Sequence, residues 1–171
     1  MNIRPYMPED FAVLRQWISD ARMHALWCAN RFPYPPEAEG FAAALQEISA
    51  RTGDRPYIAA DETGRAVGFF CCSLNPETNE CMLKFVIVDG TLRGRGVGRE
   101  MLRLAVRAAF AETDAGAVQL MVFSENPAAI RCYRKTGFQV RTCTPDAFRF
   151  GAETWDRCNM VIRRTDTETK E

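Results

Sequence analysis

The sequence predicts a single α/β domain on a mixed, mostly antiparallel sheet of about seven strands flanked by about four helices. Three observations predict it. The 171 residues suit one domain, with 47% hydrophobic residues to form a core and 26% charged residues to solvate it. Short apolar runs bounded by turn residues fill the middle of the chain, as strands do. From about residue 96, stretches with helical spacing alternate with strand-like ones, the order of helix-crossed pairing.

The elements follow in turn. Asn2-Ile3-Arg4-Pro5 reads as a short edge strand that Pro5 ends. Pro8-Glu9-Asp10 starts a helix with Phe11, Leu14, Trp17 and Ile18 at helical spacing, and Met23 to Cys28 forms a second helical stretch. The prolines 33, 35 and 36 make the next segment a loop, and a helix follows over Glu37–Ser49. Strands are predicted at Tyr57–Ala60, Ala66–Leu74 and Glu80–Asp89, joined by turns at Asp61–Gly64 and Asn75–Asn79. A helix (Gly96–Glu112), a strand (Ala117–Phe123), a helix (Pro127–Thr136) and strands at Phe138–Cys143 and Trp155–Arg163 complete the domain at residue 164. Residues 165–171 are expected to fray as a disordered tail.

Composition narrows the function. Twenty-two basic residues balance twenty-two acidic ones, so no net field draws the chain to nucleic acid or to an anionic membrane. The opening Met1–Tyr6 lacks the apolar core of a signal peptide, and no apolar run approaches the roughly 20 residues of a membrane span. Seven cysteines, an odd number without a C-x-x-C pair, point to reduced thiols in a cytoplasmic protein and away from a disulfide framework or a zinc site. With His24 the single histidine, chemistry needing a histidine cluster on a metal is excluded, and no metal is expected.

The chemistry concentrates in one stretch. The strand Val86-Ile87-Val88 feeds Arg93-Gly94-Arg95-Gly96-Val97-Gly98-Arg99, where three alternate glycines open directly into a helix. Glycines let backbone approach a ligand, and N–H groups at a helix N-terminus form an anion site. Arg93, Arg95 and Arg99 add positive charge, so the stretch fits a pyrophosphate. It is not a dinucleotide fingerprint, which would need glycine at 99, and it lacks the Gly-Lys-Ser/Thr of a P-loop. Arg103 and Arg107 continue the spacing of Arg99 as a solvated stripe.

Arg93-Gly94-Arg95-Gly96-Val97-Gly98 resembles the Q/R-x-x-G-x-G/A signature of the GNAT acetyltransferase superfamily. The later Asn126-Pro127-Ala128-Ala129-Ile130-Arg131-Cys132-Tyr133-Arg134-Lys135-Thr136-Gly137-Phe138 resembles that family's second motif, N-x-x-A-x-x-x-Y-x-k-x-G-F. It matches at Asn126, Ala129, Tyr133, Lys135, Gly137 and Phe138. Order and spacing agree across essentially the whole chain.

The resemblance implies a GNAT-like N-acetyltransferase over residues 1–164 that uses acetyl-CoA as cosubstrate. The pyrophosphate would lie on residues 93–99. The backbone of Val86, Ile87 and Val88 would pair with the pantetheine arm in a gap splayed from the strand at 117–123. An N–H near Ile87 would stabilise the oxyanion. Asn126 and Ala129 belong to the same cofactor set, and Asn126 is also a good helix N-cap before Pro127. Tyr133 lies two turns from Asn126 on one helix face; the resemblance makes it the general acid toward the CoA thiolate, while helical spacing alone would also suit a core aromatic.

A general base is less defined. Many family members carry a glutamate where this chain has Met82. Glu80, two residues earlier and on the same strand face, could act through a water or simply be solvated. The acceptor pocket would be walled by the first helices and the last hairpin, including His24, Trp27, Cys28, Arg31, Phe32, Tyr34, Asp146, Phe148, Phe150, Glu153 and Trp155. An aromatic pocket with a few acidic groups would suit a small-molecule or peptidic amine, and a homodimer is compatible with it. A non-catalytic acyl-CoA sensor stays open as the alternative.

Overall fold

The computed structural model describes residues 1–168, and among them seven strands form one sheet. They are β1 (Asn2–Pro5), β2 (Arg55–Ala60), β3 (Ala66–Asn75), β4 (Glu80–Val88), β5 (Ala117–Phe123), β6 (Gln139–Phe150) and β7 (Glu153–Arg163), in the spatial order β1-β2-β3-β4-β5-β7-β6. Six helices accompany them: α1 (Phe11–Leu14), α2 (Ala21–Cys28), α3 (Ala38–Thr52), α4 (Val97–Glu112), α5 (Pro127–Thr136) and α6 (Arg164–Glu168). None of the described helices is long and apolar enough to cross a membrane.

Each face of the sheet carries its own core. Met101, Leu102, Ala105, Val106 and Ala109 form the apolar stripe of α4 and pack on Val67, Leu83, Val118, Leu120 and Met160. Arg99, Arg103 and Arg107 stay exposed on the opposite side of that helix. On the other face, Leu14, Trp27, Phe41 and Ile48 from α1–α3 pack on Ile58, Phe69 and Ile87.

Only β4 and β5 run parallel, and their pairing is short. It extends from Glu80↔Ala117 to Leu83↔Leu120, after which β4 and β5 no longer pair with each other. The cause is visible in β4. Cys71 of β3 opposes Lys84, yet Phe69 opposes Ile87, so one extra residue has been inserted into β4. Phe85 takes φ +54°, a left-handed conformation that costs a non-glycine residue free energy. Before the bulge, Cys81 and Leu83 join the α4 core; after it, Val86 and Val88 do, while Phe85 and Ile87 face α1–α3. The sequence shows the strand but not its bulge.

Three expectations need correction. Cys143 and Cys158 are opposite one another on β6 and β7, with Cα atoms 4.0 Å apart, and form a disulfide. An odd cysteine count says nothing about a cross-strand pair, because hairpin register alone decides which residues meet. The other five cysteines are free. Second, β6 continues to Phe150 rather than ending at Cys143, and absorbs Thr144–Phe148 as an irregularity with Asp146 at φ +48°. Third, residues up to 168 of the expected tail are helical, while 169–171 lie outside the described residues. Arg164 holds this end in place. Its guanidinium donates to the carbonyls of Phe110, Thr113 and Ala115, satisfying acceptors at the C-terminal end of α4.

Candidate active site

Where β4 and β5 part, a cavity of about 320 Å³ opens between them and the C-terminal ends of α2 and α3. Val86, Val122, Asn126 and Tyr133 contribute to its wall on the α5 side. Trp27, Arg31, Arg51, Lys84, Met121 and Arg157 contribute to the wall on the α2–α3 side. Trp27 is fixed by its indole N–H, which donates to the carbonyl of Phe85 at 2.8 Å.

The ladder shows which backbone groups face the gap. Asp89 N–H donates to Val67 C=O, and Val88 lies opposite Gly68, so that pair is the non-hydrogen-bonded kind. Ile87 therefore occupies the hydrogen-bonded position facing Phe69 of β3. Its N–H is turned from the gap, and its side chain is buried among α1–α3 residues. Val86 and Val88 present their backbone toward β5 instead. The sequence placed the oxyanion donor near Ile87 because it could not see this parity.

Beyond Val88 the chain makes a 3-10 turn at Gly90–Leu92, capped by Asp89, whose Oδ1 accepts from the Thr91 N–H and hydroxyl. Gly94 and Gly96 follow at φ +79° and +85°. Gly96 is the N-cap of α4, with no side-chain cap, so the first N–H groups of the helix (Val97, Gly98, Arg99) are left to an external acceptor. The side chains of Arg93, Arg95 and Arg99 are exposed around them. Arg93 reaches Met23 Sδ at 3.5 Å, and Arg95 N–H is spent on Leu92 C=O. Gly98 has a packing duty as well: a Cβ there would sit 3.4 Å from Cys132 Sγ and 3.7 Å from Val88. An anion at this loop would meet free N–H groups, a helix dipole and arginines together.

Asn126 does what a cap does, its Oδ1 accepting from Ala129 N–H at 3.1 Å. The amide nitrogen of Asn126 remains a donor on the cavity wall. Ala129 thus spends its N–H on the cap and packs its methyl against the core. Tyr133 is 7% exposed, packs edge-on against Phe138, and its hydroxyl makes no hydrogen bond among the described residues. Burial, with a smaller contribution from Cys132, pushes its phenol well above the ordinary tyrosine range. Tyr133 is a protonated donor on the cavity wall.

Other candidates lie elsewhere. Glu80 does not line the cavity. Its carboxylate accepts two bonds from Arg141, at 3.0 and 2.7 Å, and one from Gln119 Nε2 at 2.6 Å. Gln119 Oε1 in turn accepts from Asn159, completing a polar ladder across four strands. His24 is 1% exposed and touches Cys28 Sγ and Asn30 rather than the cavity. Burial pushes the Cys28 thiol up to about 11 and lowers the His24 imidazole, so the pair is neutral. The expected acidic groups are also absent from the wall. Glu153 binds Arg22 and the Trp155 indole, and Asp146 lies on the bent part of β6. Arg51, Lys84 and Arg157 line the cavity instead, and none of them belongs to a motif.

Comparison with known proteins gives concordant results. The model of the Acetyltransferase (GNAT) family matches residues 11–138. Aminoglycoside N(6')-acetyltransferase type 1 of Klebsiella pneumoniae is 25% identical over 159 residues, 85% of this chain and 78% of that protein. N-alpha-acetyltransferase RimI of Mycobacterium tuberculosis is 33% identical over 109 residues, 63% of this chain and 62% of its own. Spermidine N-acetyltransferase from Vibrio cholerae, in complex with CoA and spermine, superposes with a TM-score of 0.82 at 16% identity over 96% of each chain. AAC(6')-Ib, in complex with paromomycin and acetyl-CoA, gives 0.79 at 19% identity over 99% of this chain and 97% of that one.

Proposed function

Because this chain belongs to the Acetyltransferase (GNAT) family, we propose that it moves the acetyl group of acetyl-CoA to a primary amine by direct attack within a ternary complex. The observation that carries this is the parting of β4 and β5 after Leu83, which opens a cavity with Val86, Asn126 and Tyr133 on its wall. A sensor would need the loop but not a protonated phenol on that wall.

The residues fit acetyl-CoA in sequence along the cleft. The N–H groups at the start of α4, with Arg93, Arg95 and Arg99, would hold the pyrophosphate. The backbone of Val86 and Val88 and the amide nitrogen of Asn126 would bond the pantetheine arm. Of these, the N–H of Val86, on the cavity wall, is assigned to the oxyanion formed on attack. Tyr133 would protonate the departing thiolate.

Glu80 has no place in this scheme, since Arg141 and Gln119 occupy its carboxylate. A different device would free the amine. Arg31, Arg51, Lys84 and Arg157 make the cavity positive, and like charge lowers the pKa of an ammonium. Water at the mouth would then take the proton. The reaction belongs where its cosubstrate is held, which keeps the cytoplasm as the proposed location. Release of CoA is to be measured with acetyl-CoA against amino acids, aminosugars, polyamines and peptides. Turnover of any of these supports the transferase, and tight acetyl-CoA binding with no turnover supports the sensor.

A further inference from the structure

The relatives and structural neighbours named above include enzymes whose names carry polycationic acceptors, spermidine and aminoglycosides. The cavity of this chain has the opposite polarity. Four cationic side chains line it and no aspartate or glutamate does. Arg31 follows the C-terminal end of α2, Arg51 lies in the last turn of α3, Lys84 immediately precedes the β4 bulge, and Arg157 is on β7 opposite Phe123. Four separate elements thus bring positive charge to one cleft in a chain whose formal net charge is zero.

Compensation is incomplete. Lys84 is matched by Asp54, buried beneath it, at 2.8 Å. Arg31, Arg51 and Arg157 have no carboxylate partner among the described residues. Near Arg157, Asp156 accepts from the Asp146 N–H and Glu153 pairs with Arg22. Nor do the cosubstrate's phosphates account for these charges. The loop at 93–99 that suits a diphosphate shares no residue with the cavity lining. Arg157 lies on the sheet face that carries Met121 and Phe123, away from α4.

We infer that the acceptor is a small amine that also carries an oxyanion, a carboxylate or a phosphate, which Arg51, Arg157 and Arg31 hold at the cavity mouth. Guanidinium forks match both oxyanions in geometry and charge. The same cations repel a polyamine, so selectivity arises from rejection as well as from attraction. The anion's attraction to these guanidinium groups offsets the cost of bringing the acceptor's ammonium into a positive cleft. A cavity of about 320 Å³ is at the small-molecule end of the scale.

This rests on the acetyl-transfer reading, and the test separates the two. Acetyl-CoA-dependent CoA release is measured with matched acceptors: an amino acid and its carboxamide, an aminosugar and its phosphate ester, and spermidine. We expect kcat/KM to favour the charged member of at least one pair by about 10- to 100-fold, the range of a charge-assisted hydrogen bond. The preferred pair tells carboxylate from phosphate. Arg51→Gln and Arg157→Gln should each erase most of that preference by raising KM while the acetyl-CoA Kd stays within a few-fold. Both arginines are exposed, so the fold should survive, and unchanged thermal melts would confirm it. Preference for spermidine or for the neutral members would overturn the inference and leave acetyl transfer standing. A charged-acceptor preference that survives both substitutions would overturn the assignment of these arginines. No turnover of any acceptor would overturn both.

Discussion

The indole N–H of Trp27 donates to the carbonyl of Phe85, the residue at which β4 takes its left-handed bulge. The side wall of the cavity is thereby fastened to the irregularity that opens it. The Phe85 carbonyl faces α2, and a strained backbone is given a partner there. Trp27→Phe keeps an aromatic ring in the stack with Phe32 and Phe41 but removes the donor. It should cost about 1–2 kcal/mol in urea denaturation and lower kcat/KM roughly tenfold through a misplaced cleft. Full activity in a destabilised variant would show that the bulge holds its shape without α2.

The loop prediction concerns binding. Gly96→Asp sets a negative charge beside the N–H groups that would meet the pyrophosphate, at a φ of +85°. Acetyl-CoA affinity should fall by about 100-fold or more, as calorimetry would read it. Gly96→Ala is the control: its Cβ enters open space, so only the backbone cost of roughly 1–2 kcal/mol applies. Equal losses in the two variants would trace the effect to backbone strain rather than charge.

Tyr133→Phe removes one oxygen from a buried ring. The acetyl-CoA Kd should stay within a few-fold while kcat falls by roughly 10²–10⁴. Parallel losses in Kd and kcat would make the ring a packing residue of the cosubstrate arm. Loss of neither would mean that the thiolate finds its proton elsewhere.

Glu80→Gln should behave as a structural change. Breaking the ladder to Arg141 and Gln119 should cost about 1 kcal/mol and leave kcat/KM within about threefold. A hundredfold fall with a displaced pH profile would return Glu80 to the proton path.

Acid sensitivity should trace in part to the N-terminal strand. Asp10 accepts two hydrogen bonds from Arg4, at 2.8 and 2.6 Å, and one from the Met7 N–H. The Arg4 bonds hold its carboxyl below the usual carboxylate range against the opposing effect of burial. A depressed folded-state pKa gives stability that is present above the unfolded value of about 3.9 and is lost as pH falls through the folded one. Asp10→Asn should therefore be about 1 kcal/mol less stable at pH 7, allowing for the partial exposure of Arg4. The gap should close as the pH falls below the unfolded value and wild type itself is titrated. A gap of constant size from pH 7 to pH 3 would remove the ion pair from the explanation.

What was legible in the sequence had a local cause. The three glycines, the cap at Asn126 and the spacing of Tyr133 are each written within one turn of chain. So the glycine turn and the starts of α4 and α5 lie where the sequence places them, and Tyr133 reaches the cavity wall. Residues that depend on register were not legible. Ile87 and Val86 differ by one position, and only the bulge decides which of them addresses the gap. Arg51, Lys84 and Arg157 lie more than thirty residues apart in sequence from one another and meet only because α3, β4 and β7 converge. Cys143 and Cys158 meet for the same reason. The acidic pocket failed because Glu153 and Asp146 were read by residue type, while Arg22 and the bend in β6 decide where they go.

Beyond Leu83, β4 keeps β3 on one side and has no strand on the other, an open edge that the proposed cosubstrate would finish. A pantetheine arm carries amides spaced along a chain, so on the proposed reading, seating it beside Val86 and Val88 would continue the ladder by foreign means. Amide hydrogen exchange at those two residues should slow on binding acetyl-CoA, and the melting temperature should climb with the logarithm of its concentration above Kd. The protein would thus be sturdiest where its cosubstrate is plentiful and more open to proteolysis where it is scarce. Its abundance could then follow the acetyl-CoA supply without any dedicated regulatory site.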